Sequence, residues 1–127
     1  MKKAIAAIIL TGTLFTFSQA QPVSELFKMK NVKEADMVLK ALNLELNLDG
    51  DLFNRVRDLL YTSAKFQTDF FNSEKAKDAE TVKVAMFRQT THIENSLKGI
   101  LGEEKFKAYQ QKKAEIEKKA DEFRKMN

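Results

Sequence analysis

The 127-residue chain contains no cysteine and no tryptophan, and it has only one proline and four glycines. Without cysteine there are no disulfide bonds, so packing alone must stabilise the fold. Proline and glycine are the residues that most often interrupt regular structure, and their scarcity favours long helices. The one histidine, His92, cannot form a zinc site within one chain, because such sites need several nitrogen or sulfur ligands.

The sequence also lacks an apolar run long enough to span a membrane. Lys2 and Lys3 precede a short apolar stretch, and residues 18–20 read SQA. A basic start, a short apolar segment and small residues before a cleavage point are typical of a secretory signal peptide. The alternative is a membrane anchor, but an anchor needs about 20 apolar residues, and Gly12 and three threonines dilute this run. We predict cleavage after Ala20, a periplasmic or secreted protein, and no stable membrane span after cleavage.

Strong charge of one sign is absent as well. The chain has 22 Lys and Arg against 18 Asp and Glu. Residues 1–20 contain two lysines and no acid, so residues 21–127 carry 20 minus 18, or +2. Lysines and acids alternate, whereas a nucleic-acid surface needs clustered basic residues. We therefore expect no nucleic-acid partner.

The remaining 107 residues suffice for one modest hydrophobic core. Asn31 and Asp49 have short polar side chains of the kind that cap the starts of helices. Apolar residues after each cap recur at three- and four-residue spacing, which predicts amphipathic helices. The fold class is therefore all-α, with about four helices in antiparallel helical hairpins and a signal-peptide helix before them. The predicted helices span about 31–46, about 50–72, a segment ending near 99–102, and about 103–126.

The predicted organisation has three parts, with the signal peptide at residues 1–20 and an N-terminal extension at residues 21–30. One all-helical domain then covers residues 31–127.

A calcium loop around Gly50 is an alternative for residues 45–56. Its twelfth position is Val56 and not the bidentate acid that calcium needs, so a helix cap explains the same residues better. We expect no enzyme, no cofactor and no metal.

An excess of aromatic residues is the main positive feature, since eight Phe and two Tyr remain after residue 20. The second predicted helix has two adjacent apolar stripes, which together are wider than the roughly 100° that one core contact requires. The inward stripe is Leu52, Val56, Leu59, Phe66 and Phe70, and the stripe beside it is Phe53, Leu60, Ala64 and Phe71. The helix is therefore either central in the core, or part of it forms a dimer seam or a client-binding surface. The candidate residues for that surface are Phe53, Leu60, Phe71, Val84 and Phe87.

Two helix junctions look alike, residues 48–53 (LDGDLF) and residues 101–106 (LGEEKF). The pattern resembles the Spy/CpxP-like periplasmic proteins, which carry a repeated Leu-Thr-x-x-Gln motif at helix starts. The resemblance covers about residues 35–125, and both copies here lack the threonine and the glutamine. It implies long helical hairpins that pair into a cradle-shaped dimer. For the function, it implies an ATP-independent chaperone, an envelope-stress regulator or a metal-responsive protein.

Two functions follow as hypotheses. The first is a chaperone-like or envelope-stress protein that shields apolar segments of unfolded clients, with a homodimer as an open alternative to a monomer. The second is a specific interaction module or regulator of one envelope protein, without general chaperone activity. Both hypotheses make another protein the partner.

Overall fold

The structure, a computed structural model, describes residues 25–126. All regular structure in that range is helical, which confirms the predicted all-α class. Helix α1 spans Val32–Leu46, α2 spans Gly50–Phe71, a short 3₁₀ helix spans Glu74–Lys77, and α3 spans Ala79–Lys125. The predicted signal peptide lies outside the described residues.

Helices α1 and α2 form a hairpin, because only residues 47–49 connect them. The Asn31 side chain caps α1 by accepting a hydrogen bond from the Glu34 N–H at 2.9 Å. The Asp49 side chain caps α2 by accepting from the Leu52 N–H at 2.9 Å. Both caps confirm the positions expected from the sequence. So short a connection leaves neighbouring helices antiparallel.

Helix α3 folds back on itself at Gly102, where the backbone angles are not helical (φ 83°, ψ 171°). The Tyr109 hydroxyl donates to the Glu94 carboxylate at 2.6 Å, and the Lys113 ammonium lies 2.7 Å from the same carboxylate. In a straight helix, residues 94 and 109 would be about 22 Å apart along the axis. Only a reversal of chain direction can bring them together. We call the parts of α3 before and after Gly102 its first arm and its second arm.

The predicted count of four helices differs from the structure, which has three α-helices between residues 25 and 126. The third and fourth predicted helices are the two arms of α3. The boundary expected near residues 99–102 coincides with the kink at Gly102. Glycine reaches the positive φ of this kink without a steric penalty, so a single residue makes the turn and the helix resumes immediately.

The core lies between the facing sides of α1, α2 and the two arms of α3. Its largest fully buried side chain is Tyr109, and two polar residues of α2, Ser63 and Gln67, are also buried. The buried apolar residues of the three helices are Ala35, Val38, Leu39, Ala41, Leu42, Leu46, Val56, Leu60, Ala64, Met86, Ile93, Leu97, Leu101, Tyr109, Ile116 and Ala120.

Residues 25–30, which we call the N-terminal strap, also belong to the core. Leu26, Phe27 and Met29 have no exposed surface. The Phe27 ring centroid lies 6.4 Å from that of Tyr109 in the second arm of α3. The core therefore begins before residue 31, where the sequence places the start of the helical domain.

Candidate functional site

An open groove of about 470 Å³ lies between the C-terminal part of α2 and the first arm of α3. Phe66 and Phe70 of α2 line one side, and Val84 and Ala85 of α3 line the other. We call this feature the apolar groove. Phe66 is 53% exposed and Val84 is 45% exposed, which is unusual for large apolar side chains. The remaining lining residues are Lys75, Glu80, Thr81, Arg88 and Gln89.

The end of α2 supplies the aromatic side of the groove. Phe66 and Phe70 are four residues apart, so they lie on the same face of the helix. The Phe70 ring meets the Phe71 ring edge-on, with the centroids 5.4 Å apart. The Ser73 hydroxyl donates to the Phe70 carbonyl at 2.6 Å, which satisfies one carbonyl at the end of the helix.

The start of α3 supplies the aliphatic side. The Asp78 carboxylate caps the helix by accepting from the Thr81 hydroxyl at 2.5 Å and from the Thr81 N–H at 3.1 Å. These two hydrogen bonds, the one from the hydroxyl first, lower the pKa of Asp78 below its ordinary value. The carboxylate therefore stays charged beside the positive end of the helix dipole. Val84 and Arg88 follow Thr81 at three- and four-residue spacing and line the groove with it.

The five predicted binding candidates lie in three different environments. Leu60 is fully buried and Phe53 packs against the core, so both stabilise the single chain. Val84 lines the apolar groove, and Phe87, one turn further along α3, is 66% exposed. Phe71 lines a separate pocket of about 450 Å³ beside the N-terminal strap. Only Val84 and Phe87 are therefore brought together on the exposed side of α3.

Sequence reasoning missed Phe66 and Phe70, which it assigned to the inward stripe of the second helix. In the structure the buried face of α2 takes residues from both stripes, Val56 from the first and Leu60 and Ala64 from the second, and it includes the polar Ser63 and Gln67. The combined width of the two stripes was the feature of the sequence that indicated an exposed apolar surface on α2. Spacing alone does not show which of two adjacent stripes a neighbouring helix covers.

The chemistry of the groove suits binding more than reaction. Its sides are aromatic and aliphatic, and its rim carries two cations, Lys75 and Arg88, against the anion Glu80. No group of three or more His, Asp or Glu side chains between residues 25 and 126 is placed to hold a metal ion. His92 is exposed and lies outside the groove. No helix in the described part of the chain is long and apolar enough to cross a membrane.

Comparison of the chain with models of protein families, with curated proteins and with solved structures finds no match. The resemblance to the Spy/CpxP-like proteins stays a prediction from the sequence. The geometry of the apolar groove and its surroundings is therefore the basis for a proposed function.

Proposed function

We propose that this chain is an exported, chaperone-like binding protein that holds apolar segments of unfolded proteins without using ATP. The exposure of Phe66, Val84 and Phe87 beside an open groove carries the proposal. Neighbouring apolar side chains exposed within a polar rim mark interaction sites on soluble proteins. Apolar contacts are non-directional, so such a groove accepts segments of different sequence.

The rim of the groove supports a broad choice of clients. Lys75 and Arg88 attract acidic residues of a client, and Glu80 attracts basic ones. Ion pairs at exposed positions contribute about 1 kcal/mol or less. The rim therefore adds little affinity for any one client, and the apolar contacts decide binding.

The proposal includes the parts predicted from the sequence alone. Residues 1–20 act as the export signal, and the mature chain works in the periplasm or outside the cell. The two arms of α3 serve as the third and fourth helices of the expected hairpins. A homodimer is not required for client binding, because one chain supplies all the residues that line the apolar groove.

The proposal predicts that the mature chain suppresses aggregation of an unrelated unfolding client at stoichiometric amounts without nucleotide. Val84→Ser removes an exposed aliphatic contact that lines the groove and should weaken client affinity by about tenfold. Leu44→Ser is the matched control, because Leu44 is 58% exposed on α1 and does not line the groove. Light scattering of the client measures both variants. Equal suppression by the wild-type chain and Val84→Ser would remove the groove from the proposal.

The alternative function is a specific interaction module or regulator of one envelope protein. The mixed rim of Lys75, Glu80 and Arg88 favours it, because fixed charges around a small apolar site discriminate between partners. This alternative predicts one tightly bound partner in a pull-down and no effect on the aggregation of unrelated clients. Weak recovery of many proteins would instead favour the chaperone-like function.

A further inference from the structure

Side chains of α2 bind the backbone of the N-terminal strap. The Gln67 side-chain amide accepts from the Met29 N–H at 2.8 Å and donates to the Phe27 carbonyl at 2.9 Å. The adjacent Thr68 hydroxyl donates to the Lys30 carbonyl at 2.7 Å. One primary amide thus satisfies a donor and an acceptor of the strap backbone, whatever side chains the strap carries.

The second arm of α3 binds the same backbone at further positions. Arg124 Nη2 donates to the Leu26 carbonyl at 2.8 Å and to the Lys28 carbonyl at 3.5 Å. The Glu25 N–H donates to the Glu117 carboxylate at 3.0 Å. Arg124 Nε is buried and has no hydrogen-bond partner among the described residues. The site therefore holds one donor that the strap does not use.

The strap places three apolar side chains between these polar contacts. Leu26, Phe27 and Met29 are fully buried, whereas Lys28 is partly exposed. We call the site that holds residues 25–30 the strap cleft. It combines backbone hydrogen bonds, which are independent of sequence, with apolar sockets at three of four successive positions. The strap itself makes a turn, in which the Lys28 N–H donates to the Glu25 carbonyl at 3.1 Å. Main-chain hydrogen bonds for affinity and pockets for side chains are the two features by which a protein binds a polypeptide segment.

We propose that the strap cleft is a second polypeptide-binding site, and that the N-terminal strap is its intramolecular occupant. The ligand is a segment of an unfolded client that adopts the same turn, with apolar side chains at three of four successive positions, and it enters by displacing the strap. This inference rests on the proposed chaperone-like function for the nature of the ligand. It names a site distinct from the apolar groove.

Displacement of the strap leaves the helices intact. The contacts of the strap with α2 and α3 are made by helix side chains, so its release breaks no backbone hydrogen bond within α1, α2 or α3. Release of the strap also exposes Leu26, Phe27 and Met29, so the docked strap is strongly favoured and a client must bury equivalent apolar side chains in their place. The apparent affinity for a client is the intrinsic affinity multiplied by the fraction of chains in which the strap is undocked. A bound strap therefore keeps the cleft closed until client segments are abundant.

The strap cleft and the apolar groove meet at Gln67. Its Nε2 atom lies 3.5 Å from the Oε1 atom of Gln89, which lines the groove. Phe66, the residue before Gln67, also lines the groove. The two sites therefore flank one segment of α2, and a single client chain can occupy both.

The test is a reversible lock on the strap in the mature chain. The double variant Glu25→Cys/Glu117→Cys places thiols where the Glu25 N–H meets the Glu117 side chain, and the chain has no other cysteine. A labelled peptide with the sequence of residues 21–31 is titrated against the oxidised and the reduced protein. Fluorescence anisotropy should show that the peptide binds the reduced form, and that its affinity for the oxidised form is lower by about tenfold or more. Equal binding to both forms, or none to the reduced form, would overturn the inference.

Two controls separate the possible results. The same peptide with Ser in place of Leu26, Phe27 and Met29 should not bind, because it cannot fill the sockets. A covalent dimer on oxidation would mean that the cleft holds the strap of a second copy, which would also overturn the inference. Val84→Ser, which alters the groove, should bind the strap peptide normally, so that failure of the groove and failure of the cleft are distinguishable.

A second measurement needs no substitution. The Met29 amide is bonded to Gln67 in the closed cleft, so it should exchange slowly with solvent deuterium in the free wild-type chain. Saturating peptide should accelerate this exchange as the strap is displaced. Unchanged exchange at Met29 with peptide bound elsewhere would refute displacement.

Discussion

At the scale of single residues, Tyr109 combines the largest fully buried side chain with a polar contact across the α3 kink. Its hydroxyl donates to Glu94 at 2.6 Å, and Glu94 also pairs with Lys113. Burial, followed by the hydrogen bond to Glu94, raises the pKa of Tyr109 above its ordinary value of 10.0. The neutral phenol is therefore the form that the folded chain accommodates.

The raised pKa of Tyr109 makes the folded state sensitive to alkali. Below pH 10 the tyrosine is protonated in both the folded and the unfolded chain, and its contribution to stability is complete. Above pH 10 the unfolded chain loses the proton more readily, so the free energy of unfolding should fall by up to about 1.4 kcal/mol per pH unit. Tyr109→Phe removes this decline. Urea unfolding at pH 9 and pH 11 measures the difference between the wild-type chain and the variant.

Tyr61→Phe is the control for this prediction. The pKa of Tyr61 is also raised, mainly by its hydrogen bond to Asp36, but the residue is partly exposed. This variant retains Tyr109 and should keep most of the alkaline decline. A decline in Tyr109→Phe as steep as that of the wild-type chain would contradict the role assigned to Tyr109.

Residue identity predicts contacts between residues close together in the sequence, but not contacts between residues far apart in the sequence. The caps at Asn31 and Asp49 are bonded three residues ahead, so the sequence contains both partners at a recognisable spacing. Gln67 instead binds Met29 across 38 residues of chain. Nothing near Gln67 in the sequence distinguishes it from an exposed helical glutamine. The strap cleft was therefore not predictable from the pattern alone.

At the scale of elements, the kink at Gly102 determines the arrangement of α3. Its φ of 83° and ψ of 171° lie in a region that is essentially restricted to glycine. An added Cβ at Gly102 would meet no other atom within 4 Å. The cost of replacing this glycine is therefore backbone strain and not steric overlap.

Gly102→Ala should lower the free energy of unfolding by about 1 to 3 kcal/mol, because alanine is strained at this φ and ψ. Gly99→Ala is the matched control, since Gly99 lies in helical backbone and also has no atom within 4 Å of an added Cβ. That change should stabilise the chain by about 0.5 to 1 kcal/mol. Urea unfolding measures both variants. Equal changes in the free energy of unfolding would show that backbone strain at residue 102 does not determine the kink.

Periodicity gives the limits of the elements better than their orientation. The sequence places α1 and α2 within one residue of their observed ends. The orientation of α2 depends on the elements that pack against it, which bury Leu60, Ala64 and Gln67 and leave Phe66 exposed. Two apolar stripes of similar strength leave that choice to tertiary packing. This is why the sequence did not predict Phe66 as a surface candidate.

At the scale of the whole molecule, long-range contacts join the second arm of α3 to α1. The Lys105 ammonium donates to the Leu46 carbonyl at 3.0 Å, and the Lys112 ammonium donates to the Glu45 carbonyl at 3.1 Å. α1 has no basic residue in its own last turn, so these lysines provide the positive charge that favours a helix C-terminus. These contacts close the bundle between α1 and the second arm of α3. The apolar groove between α2 and the first arm of α3 stays open.

The central claim is that clients bind between α2 and the first arm of α3. Hydrogen–deuterium exchange of the mature chain, with and without a permanently unfolded client, tests it most directly. Bound client should slow exchange in the segments that contain Phe66, Phe70 and Val84, and leave the segment around Leu44 unchanged. Unchanged exchange at the groove in the presence of bound client would contradict the claim.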